Sequence, residues 1–285
     1  MSHDFENAWG KISRGCSYIE QSGVGWFSLP AFSAAGFVQH GLTARIGGVS
    51  QGGYASLNLS FTRPDEPREN VMENHRIFAK AAGIPWDSMV MDRFEHGTTV
   101  LQVDRSNKGM GYLRPSLPSC DGLITDDPAI TLITGHADCL PLFFADPVRR
   151  CIGLAHAGWK GTLGKIGWHT IRMMQERFGS DPMNILAGVG PCICQDCFEV
   201  DADLGQQFAD TFTGVPCVAP GKPGKAQVDL PMAAAAQFLE AGVLPEHISL
   251  SGICTFEEPE RLYSHRRDQG NTGGMAAFLS LSGCN

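Results

Sequence analysis

Two apolar runs separated by a short polar turn constrain the fold of this chain most strongly. Residues 140–145 (LPLFFA) and 151–155 (CIGLA) have the length and composition of strands, and residues 146–149 (DPVR) separate them. Asp at the first turn position and Pro at the second favour a type I turn. The sequence therefore predicts an antiparallel hairpin centred between Pro147 and Val148.

In that hairpin, Cys139 and His156 would face each other. Opposed Cβ atoms lie about 4.5–5.5 Å apart, so a thiolate and an imidazole could share a proton or a metal ion. His96, just ahead of an alternating apolar segment, is a candidate third ligand, and the resulting set would leave one tetrahedral position open, as in catalytic zinc sites. Two chemistries stay open here: a metal site, or a metal-free nucleophile in which Cys139 attacks and His156 is the base.

Seven sequence segments carry a resemblance to a known family. They are residues 40–50 (HGLTARIGGVS), 54–59 (YASLNL), 95–98 (EHGT), 136–141 (HADCLP), 156–162 (HAGWKGT), 190–200 (GPCICQDCFEV) and 263–268 (YSHRRD). In this order they resemble the YfiH/YlmD family, also called the laccase-domain or multicopper polyphenol oxidase family. The region that carries the motifs covers about residues 36–282. This chain has Phe94-Glu95-His96 where family members usually carry Gln-Val-His, so its packing around His96 is expected to differ.

The resemblance implies a zinc-dependent purine nucleoside phosphorylase. Such an enzyme cleaves adenosine, inosine and methylthioadenosine with phosphate and also deaminates adenosine. The resemblance places the metal ligands at His96, Cys139 and His156, and an arginine near the pocket mouth at Arg45. It also implies an α+β fold, with residues 1–285 in a single compact domain of mixed β-sheets flanked by helices.

A copper polyphenol oxidase is the alternative that the family's older description suggests. Multicopper oxidation needs many histidines arranged around several copper ions. The nine histidines of this chain include no His-x-His pair, so zinc is the favoured metal. The metal-free cysteine hydrolase formed by Cys139 and His156 is the other alternative.

Two basic residues are candidates for binding an anionic substrate. Arg45 precedes Gly47-Gly48, and glycine-rich backbone can point amide groups at an anion. We therefore predict a catalytic and substrate-binding role for Arg45 as a phosphate clamp. Lys160 lies just past His156 and is a second candidate for contact with an anionic group.

His136 and Asp138 flank the predicted metal ligand Cys139. In an extended strand both side chains would lie on the face opposite Cys139, which favours a hydrogen-bonding role over ligation. Either could serve as a general acid or base. We predict catalytic roles for both and favour Asp138.

The remaining cysteines do not indicate a disulfide framework. The chain has ten cysteines but lacks the apolar start of a secreted protein, so reduced thiols are expected. Cys192, Cys194 and Cys197 could hold a soft metal, but no fourth ligand is evident in the nearby sequence. We favour a loop that flanks the pocket over a second metal site. Cys151 and Cys254 lie in apolar runs and are predicted to be core residues.

Charge and hydropathy exclude two classes of partner. The net charge of −8 argues against broad binding to a nucleic-acid backbone, which depends on clustered Lys and Arg. No apolar run approaches the roughly 20 residues of a membrane span. We expect a cytoplasmic enzyme, a monomer or small homo-oligomer, whose partners are a purine nucleoside and phosphate.

The periodicity of apolar residues, together with Gly, Pro and Asp at the ends of the apolar runs, predicts alternating helices and strands. The predicted helices are residues 65–82, 165–178, 201–212 and 229–241. The predicted strands are residues 130–134, 140–145, 151–155 and 185–189, which should share a central sheet, and residues 248–254. Residues 216–225 are predicted to form an exposed loop, and His75 is predicted to be packed or exposed rather than catalytic.

Overall fold

Three β-sheets and their flanking helices position the chemistry-bearing residues, and the computed structural model describes them over residues 3–282. The strands are β1 (Ser13–Arg14), β2 (Ser17–Gln21), β3 (Val24–Ser28), β4 (Val38–Thr43), β5 (Met89–Met91), β6 (Val100–Gln102), β7 (Gly122–Thr125), β8 (Thr131–His136), β9 (Leu140–Asp146), β10 (Cys151–Ala157), β11 (Leu186–Val189), β12 (Glu199–Asp201), β13 (Val218–Pro220), β14 (Lys225–Val228), β15 (Ile248–Leu250) and β16 (Met275–Leu281). The α-helices are α1 (His3–Trp9), α2 (Pro30–Ala35), α3 (Arg68–Ala82), α4 (Trp159–Leu163), α5 (Ile166–Phe178), α6 (Ala202–Thr211) and α7 (Leu230–Glu240).

The two large sheets pack face to face. One has the mixed order β1-β15-β11-β9-β10-β7-β6, and the other has the order β2-β3-β4-β16-β8-β5. Apolar side chains of both sheets meet between them, α5 and α7 cover the outer side of the first sheet, and α3 packs on the second. The small sheet β12-β14-β13 packs with α6. The predicted arrangement of mixed sheets flanked by helices is therefore present.

Strand β9 shows why the central runs are apolar throughout. All of its residues are buried. Leu142 and Phe144 join the core beneath α5 and α7, whereas Phe143 and Ala145 join the core between the two large sheets. Because successive strand side chains point to opposite faces, a strand covered on both faces must be apolar at every position.

The predicted hairpin forms from β9 and β10, but its register differs from the prediction. Asp146 pairs with Cys151, and Pro141 pairs with His156. The centre therefore lies one residue later than predicted, and Cys139 precedes the strand. The prediction that Cys139 faces His156 across the ladder is wrong.

The turn explains the shifted register. Asp146 Oδ1 accepts hydrogen bonds from the amides of Val148 at 2.8 Å and Arg149 at 3.0 Å. Arg150 then adopts left-handed backbone with a φ of 54°. This residue continues the loop before pairing resumes, so residues 147–150 form a four-residue connection in place of the two-residue loop that the predicted register implies.

Most predicted elements are confirmed, and three need correction. Helices 65–82, 165–178, 201–212 and 229–241 correspond to α3, α5, α6 and α7. Strand 130–134 is β8, which lies in the six-stranded sheet and not beside β9, because left-handed backbone at Asp138 redirects the chain. Strand 248–254 ends at Leu250, after which only Cys254 bridges to Cys192. The loop 216–225 contains β13, whose Val218 pairs with Val228.

The predictions for two core cysteines and for His75 agree with the structure. Cys151 and Cys254 are buried, as predicted, and Cys284 lies outside the described residues. His75 is packed, with Nε2 2.9 Å from the Leu59 carbonyl oxygen. No helix in residues 3–282 combines the length and apolarity needed to cross a membrane.

Candidate metal centre

Three separate segments bring His96, Cys139 and His156 together. His96 lies between β5 and β6, Cys139 lies in the corner between β8 and β9, and His156 lies in β10. One ligand atom from each residue lies within 4.8 Å of the other two. The predicted triad therefore meets in space even though the predicted ladder pairing does not exist.

Asp121 orients His156. The Asp121 carboxylate lies 3.1 Å from His156 Nδ1, and the His156 amide donates to the Asp121 backbone carbonyl at 2.7 Å. Both side chains are buried. A hydrogen on Nδ1 leaves the lone pair of Nε2 for a metal, as in carboxylate–histidine–metal arrangements.

The same carboxylate also holds the loop that carries His96. The amide of His96 donates to Asp121 Oδ1 at 2.9 Å, and the amide of Gly97 donates to Oδ2 at 2.8 Å. Burial alone would raise the pKa of Asp121, but the hydrogen bonds from His156 and the loop amides keep it below its usual value. Sequence reasoning missed Asp121; the available signal was an acidic residue directly before the buried strand β7.

Phe94 and Gly158 shape the space around the ligands. The Phe94 ring lies 4.6 Å from the His156 ring and 5.5 Å from the His96 ring, centroid to centroid. A Cβ at Gly158 would lie 2.7 Å from His96 Cδ2 and 3.3 Å from Cys139 Sγ. Phe94 thus supports both imidazoles, and glycine is required at position 158.

Cys139 and His156 stabilise each other's charged form. Burial opposes ionisation of the Cys139 thiol, but the charge and hydrogen bonds of His156 and His96 outweigh it and lower its pKa to about 6. Burial likewise opposes protonation of His156, yet the thiolate and the Asp121 carboxylate raise its pKa. A thiolate flanked by two imidazoles is a donor set that fits a borderline-soft divalent cation.

A cavity of about 420 Å³ opens over the three donors. Phe94, Trp159 and Phe198 contribute aromatic surface to it, and Arg63 and Arg266 contribute positive charge. Its size and mixed lining are typical of small-molecule sites. The three donors leave room for a further ligand on the side that faces this cavity.

Comparison with known proteins identifies the family. The family described as multi-copper polyphenol oxidoreductase laccase matches this chain over residues 39–282. The chain belongs to this family. Among curated proteins, the purine nucleoside phosphorylase YlmD of Geobacillus stearothermophilus is 36% identical over 268 residues, covering 92% of this chain and 96% of that protein. A purine nucleoside phosphorylase of Deinococcus radiodurans is 39% identical over 244 residues, covering 86% and 89%.

The fold agrees with the family assignment. The crystal structure of YlmD from Geobacillus stearothermophilus matches with a TM-score of 0.87 and 34% sequence identity, covering 93% of this chain and 99% of that chain. The predicted family and fold class are thereby confirmed.

Arg63 is a half-buried arginine that lines the pocket. Its Nη2 donates to the Gly273 carbonyl at 3.1 Å, whereas its Nε is buried without a hydrogen-bond partner. Burial lowers the pKa of Arg63. An unpaired buried donor is costly unless a ligand completes it. Sequence reasoning missed Arg63 because nothing in the surrounding residues marks it as different from a surface arginine.

The side chain of Arg45 donates to backbone carbonyls of the protein, and its predicted role as a phosphate clamp stays a prediction. Its Nε and Nη2 both donate to the Ala55 carbonyl, at 3.0 and 2.9 Å, and its guanidinium lies 4.5 Å from the centre of the Tyr263 ring. The amides of Gly47 and Gly48 donate to Ser56 Oγ rather than facing an open site. The glycine turn is thus completed by the protein's own side chain, and Arg45 lies outside the cavity lining.

Lys160 lies at the surface next to the cavity rather than in its lining. It is exposed in α4, with its ammonium 5.4 Å from the centre of the Trp159 ring. Trp159 itself lines the cavity. Contact between Lys160 and a bound ligand would therefore require the long side chain to reach around Trp159.

His136 and Asp138 line the cavity, but protein groups occupy their polar atoms. His136 Nε2 lies 2.8 Å from Thr134 Oγ1, and Nδ1 lies 3.1 Å from the Cys139 carbonyl oxygen. Asp138 accepts hydrogen bonds from Thr255 Oγ1 at 2.6 Å and from the Arg266 amide at 2.7 Å. These contacts hold the corner that carries Cys139.

Proposed function

We propose that this protein is a zinc-dependent purine nucleoside phosphorylase. Its substrates are adenosine, inosine and methylthioadenosine, and it also deaminates adenosine. The observation that carries this proposal is an open set of His96, Cys139 and His156 beneath a cavity that also holds an arginine with an unpaired donor. The relatives named purine nucleoside phosphorylase support the same assignment.

His96, Cys139 and His156 would hold the zinc ion. Zinc accepts mixed nitrogen and sulfur ligands, and three protein ligands leave a position open for catalysis. When bound, it supplies a Lewis-acid centre on the floor of the cavity. Asp121 fixes the orientation of His156 before any substrate arrives.

Phosphate would bind against the basic wall of the cavity. Arg63 offers its buried Nε, and Ser60 and Thr62 line the cavity beside it with hydroxyl groups. Hydrogen bonds between arginine and phosphate are charge-assisted and strong. Arg63 therefore replaces Arg45 as the proposed anion-binding residue.

The purine would lie against the aromatic surface. Phe94, Trp159 and Phe198 line the cavity and provide flat apolar area for a heterocycle. Binding there excludes water from the reacting bond, which strengthens the electrostatic contacts made by Arg63. We assign His136 and Asp138 to positioning the Cys139 corner, because their polar atoms already have protein partners.

The choice between the two reactions depends on which part of the nucleoside faces the metal. Attack by phosphate on the ribose carbon releases the free base, whereas attack by water on the amino-bearing purine carbon releases ammonia. One pocket can support both if the nucleoside binds in two orientations. Phosphate at the Arg63 wall favours the first reaction.

Incubation with adenosine tests the proposal directly. We expect adenine and ribose 1-phosphate when phosphate is present, and inosine and ammonia when it is omitted. Chelation should abolish both activities, and added Zn²⁺ should restore them. Release of neither adenine nor inosine by zinc-loaded protein would overturn the proposal.

A copper polyphenol oxidase is supported less well. Within residues 3–282, only one metal-ligating cluster contains histidine, and it offers two imidazoles and one thiol. A multicopper centre needs several such groups. Phenol oxidation that depends on stoichiometric copper would favour this alternative.

A metal-free cysteine hydrolase has one specific observation in its favour. Cys139, His156 and Asp121 form the order of nucleophile, base and orienting carboxylate found in nucleophilic catalysis. This alternative requires activity that resists chelators and is lost on alkylation of Cys139. A cytoplasmic location stays a prediction.

A further inference from the structure

A second group of metal-ligating side chains lies outside the proposed catalytic centre. The Sγ atoms of Cys194, Cys197 and Cys254 lie within 4.8 Å of one another. We refer to these three residues as the thiol cluster. Cys254 comes from a segment sixty residues along the chain from Cys194, so the sequence pattern around Cys192, Cys194 and Cys197 did not reveal it.

The backbone holds the thiol cluster in place without a disulfide. The amide of Phe198 donates to the Gln195 carbonyl at 3.1 Å, which closes a turn between Cys194 and Cys197. The amide of Cys194 points at Cys254 Sγ at 3.4 Å. Two cysteines at a turn and a third from a neighbouring segment resemble the arrangement of structural zinc sites.

Glu257 is the candidate fourth ligand. Its Oε1 lies 3.9 Å from Cys197 Sγ. In a tetrahedral zinc site with Zn–S bonds of about 2.3 Å, neighbouring sulfur atoms lie about 3.8 Å apart. The sulfur–sulfur separations, at most 4.8 Å, therefore need to close by about 1 Å, and the Glu257 side chain would have to turn towards Cys194 and Cys254 to complete the tetrahedron.

A cation can reach the thiol cluster. Cys194 and Cys197 are half-buried, and Cys254 is buried behind them. A second cavity, of about 260 Å³, is lined by Cys194 and its neighbour Ile193. Three thiols and a carboxylate lie together near the surface, and no ion pair to a lysine or arginine within residues 3–282 involves them, which favours a soft cation.

We propose that Cys194, Cys197 and Cys254 bind a second zinc ion, with Glu257 as the fourth ligand. This site is structural, because the four protein groups would fill a tetrahedron and leave no position for substrate. It is separate from His96, Cys139 and His156, and it does not depend on which reaction the catalytic centre performs.

The second zinc ion would stabilise the part of the catalytic cavity wall that is formed by the corner carrying Cys139. The amide of Ile193, next to Cys194, donates to the Asp138 carbonyl at 3.0 Å, and Thr255, next to Cys254, donates to the Asp138 carboxylate. Asp138 precedes the catalytic ligand Cys139. Linking the two segments therefore stabilises the corner that carries Cys139.

Metal content of the full-length protein tests the proposal. After purification under reducing conditions and zinc loading, the protein should hold two zinc equivalents per chain. Cys197→Ser and Cys254→Ser should each lose one equivalent, and His96→Ala should lose the other. Cys16→Ser is the matched control, since Cys16 is also a half-buried cysteine but lies outside the thiol cluster, and it should keep both equivalents.

Thiol protection in His96→Ala keeps the test valid if a cysteine variant fails to fold. Added Zn²⁺ should block alkylation of Cys194 and Cys197 in this variant, and removal of Zn²⁺ should restore it. The proposal would be overturned if the wild-type chain held only one zinc equivalent and Cys197→Ser held the same amount. Unprotected thiols, or a disulfide within the thiol cluster in the reduced protein, would overturn it as well. These readouts record metal and thiols, so loss of the proposed enzyme activity would not affect them.

Discussion

The two cysteine-containing clusters of this chain differ in their donor atoms and in what surrounds them. At the proposed catalytic centre, Cys139 is joined by His96 and His156, and a buried carboxylate orients the imidazole of His156. At the thiol cluster, all three donors are sulfur, and the exposed Glu257, whose Oε1 lies 3.9 Å from Cys197 Sγ, is the proposed fourth ligand. The first faces a cavity of about 420 Å³, whereas the second lies between two chain segments that backbone hydrogen bonds join.

The difference shows how surroundings, rather than the metal, separate catalysis from structure. A catalytic site needs an open position and rigidly oriented ligands, which Asp121 and Phe94 provide. A structural site needs ligands that fill the coordination sphere. The same cation is therefore expected to behave differently at the two clusters.

Removal of a catalytic ligand should have the largest effect. Cys139→Ala should lower kcat/KM for phosphorolysis by about 1,000-fold, because the loss of Lewis-acid stabilisation costs several kcal/mol. It should remove one zinc equivalent and leave zinc at the thiol cluster. Steady-state kinetics and metal analysis, with Cys16→Ala as control, measure both effects. Full activity in Cys139→Ala would contradict the assigned centre.

Weakening the orienting carboxylate should have the next largest effect. Asp121→Asn should reduce zinc affinity at the catalytic centre by about 10–100-fold, since the residue that orients His156 loses its charge. Competition with a chelator measures this, and affinity at the thiol cluster should not change. Asp127→Asn is the control, because Asp127 is a similarly buried carboxylate that pairs with Arg105 instead.

Arg63 and Arg45 can be compared by the same substitution. Arg63→Lys should raise the KM for phosphate about tenfold, because lysine keeps the charge but loses the planar donor geometry of Nε. Arg45→Lys should leave that KM unchanged, since Arg45 lies outside the cavity lining. Zinc content should stay at the wild-type level in both. A larger effect from Arg45→Lys would restore the prediction made from the sequence.

The smallest predicted effect is a loss of folding stability at low pH, which limits the pH range in which the two clusters can be compared. Burial lowers the pKa of His75 to about 4, and its Nδ1 has no partner. As the pH falls, the unfolded chain therefore binds a proton at this histidine before the folded chain does. The stability that neutral His75 contributes is complete above the ordinary histidine pKa and is lost progressively towards about pH 4. Between about pH 7 and 5.5 this histidine should contribute a loss of about 1 kcal/mol.

His75→Gln should remove this contribution while an amide keeps the contact to Leu59. Denaturant unfolding at the two pH values measures the difference, and the acid loss should be smaller in His75→Gln than in the wild-type chain. His169→Gln is the control, because His169 is exposed. An equal acid loss in His75→Gln and wild type would show that His75 does not titrate in this way.

Local signals in the sequence determined the secondary-structure elements and the residues of the proposed metal centre. The apolar runs at β9 and β10, the turn residue Asp146 and the helical spacing in α5 depend on neighbours in the chain, so they could be predicted. The motifs around His96, Cys139 and His156 identified the family in the same way. Apolar periodicity could not predict that β8 and β9 lie in different sheets, because the chain changes direction at one residue with left-handed backbone, Asp138.

Only the tertiary structure decided which distant residues share a site. Asp121 contacts His156 and the loop of His96, and Cys254 lies beside Cys194 and Cys197. Sequence spacing does not predict these contacts. Arg63 differs from Arg45 in its place in the cavity lining and in an unpaired donor rather than in residue type. Spacing specifies what is near along the chain, whereas burial and hydrogen-bond completion depend on how the sheets close over one another.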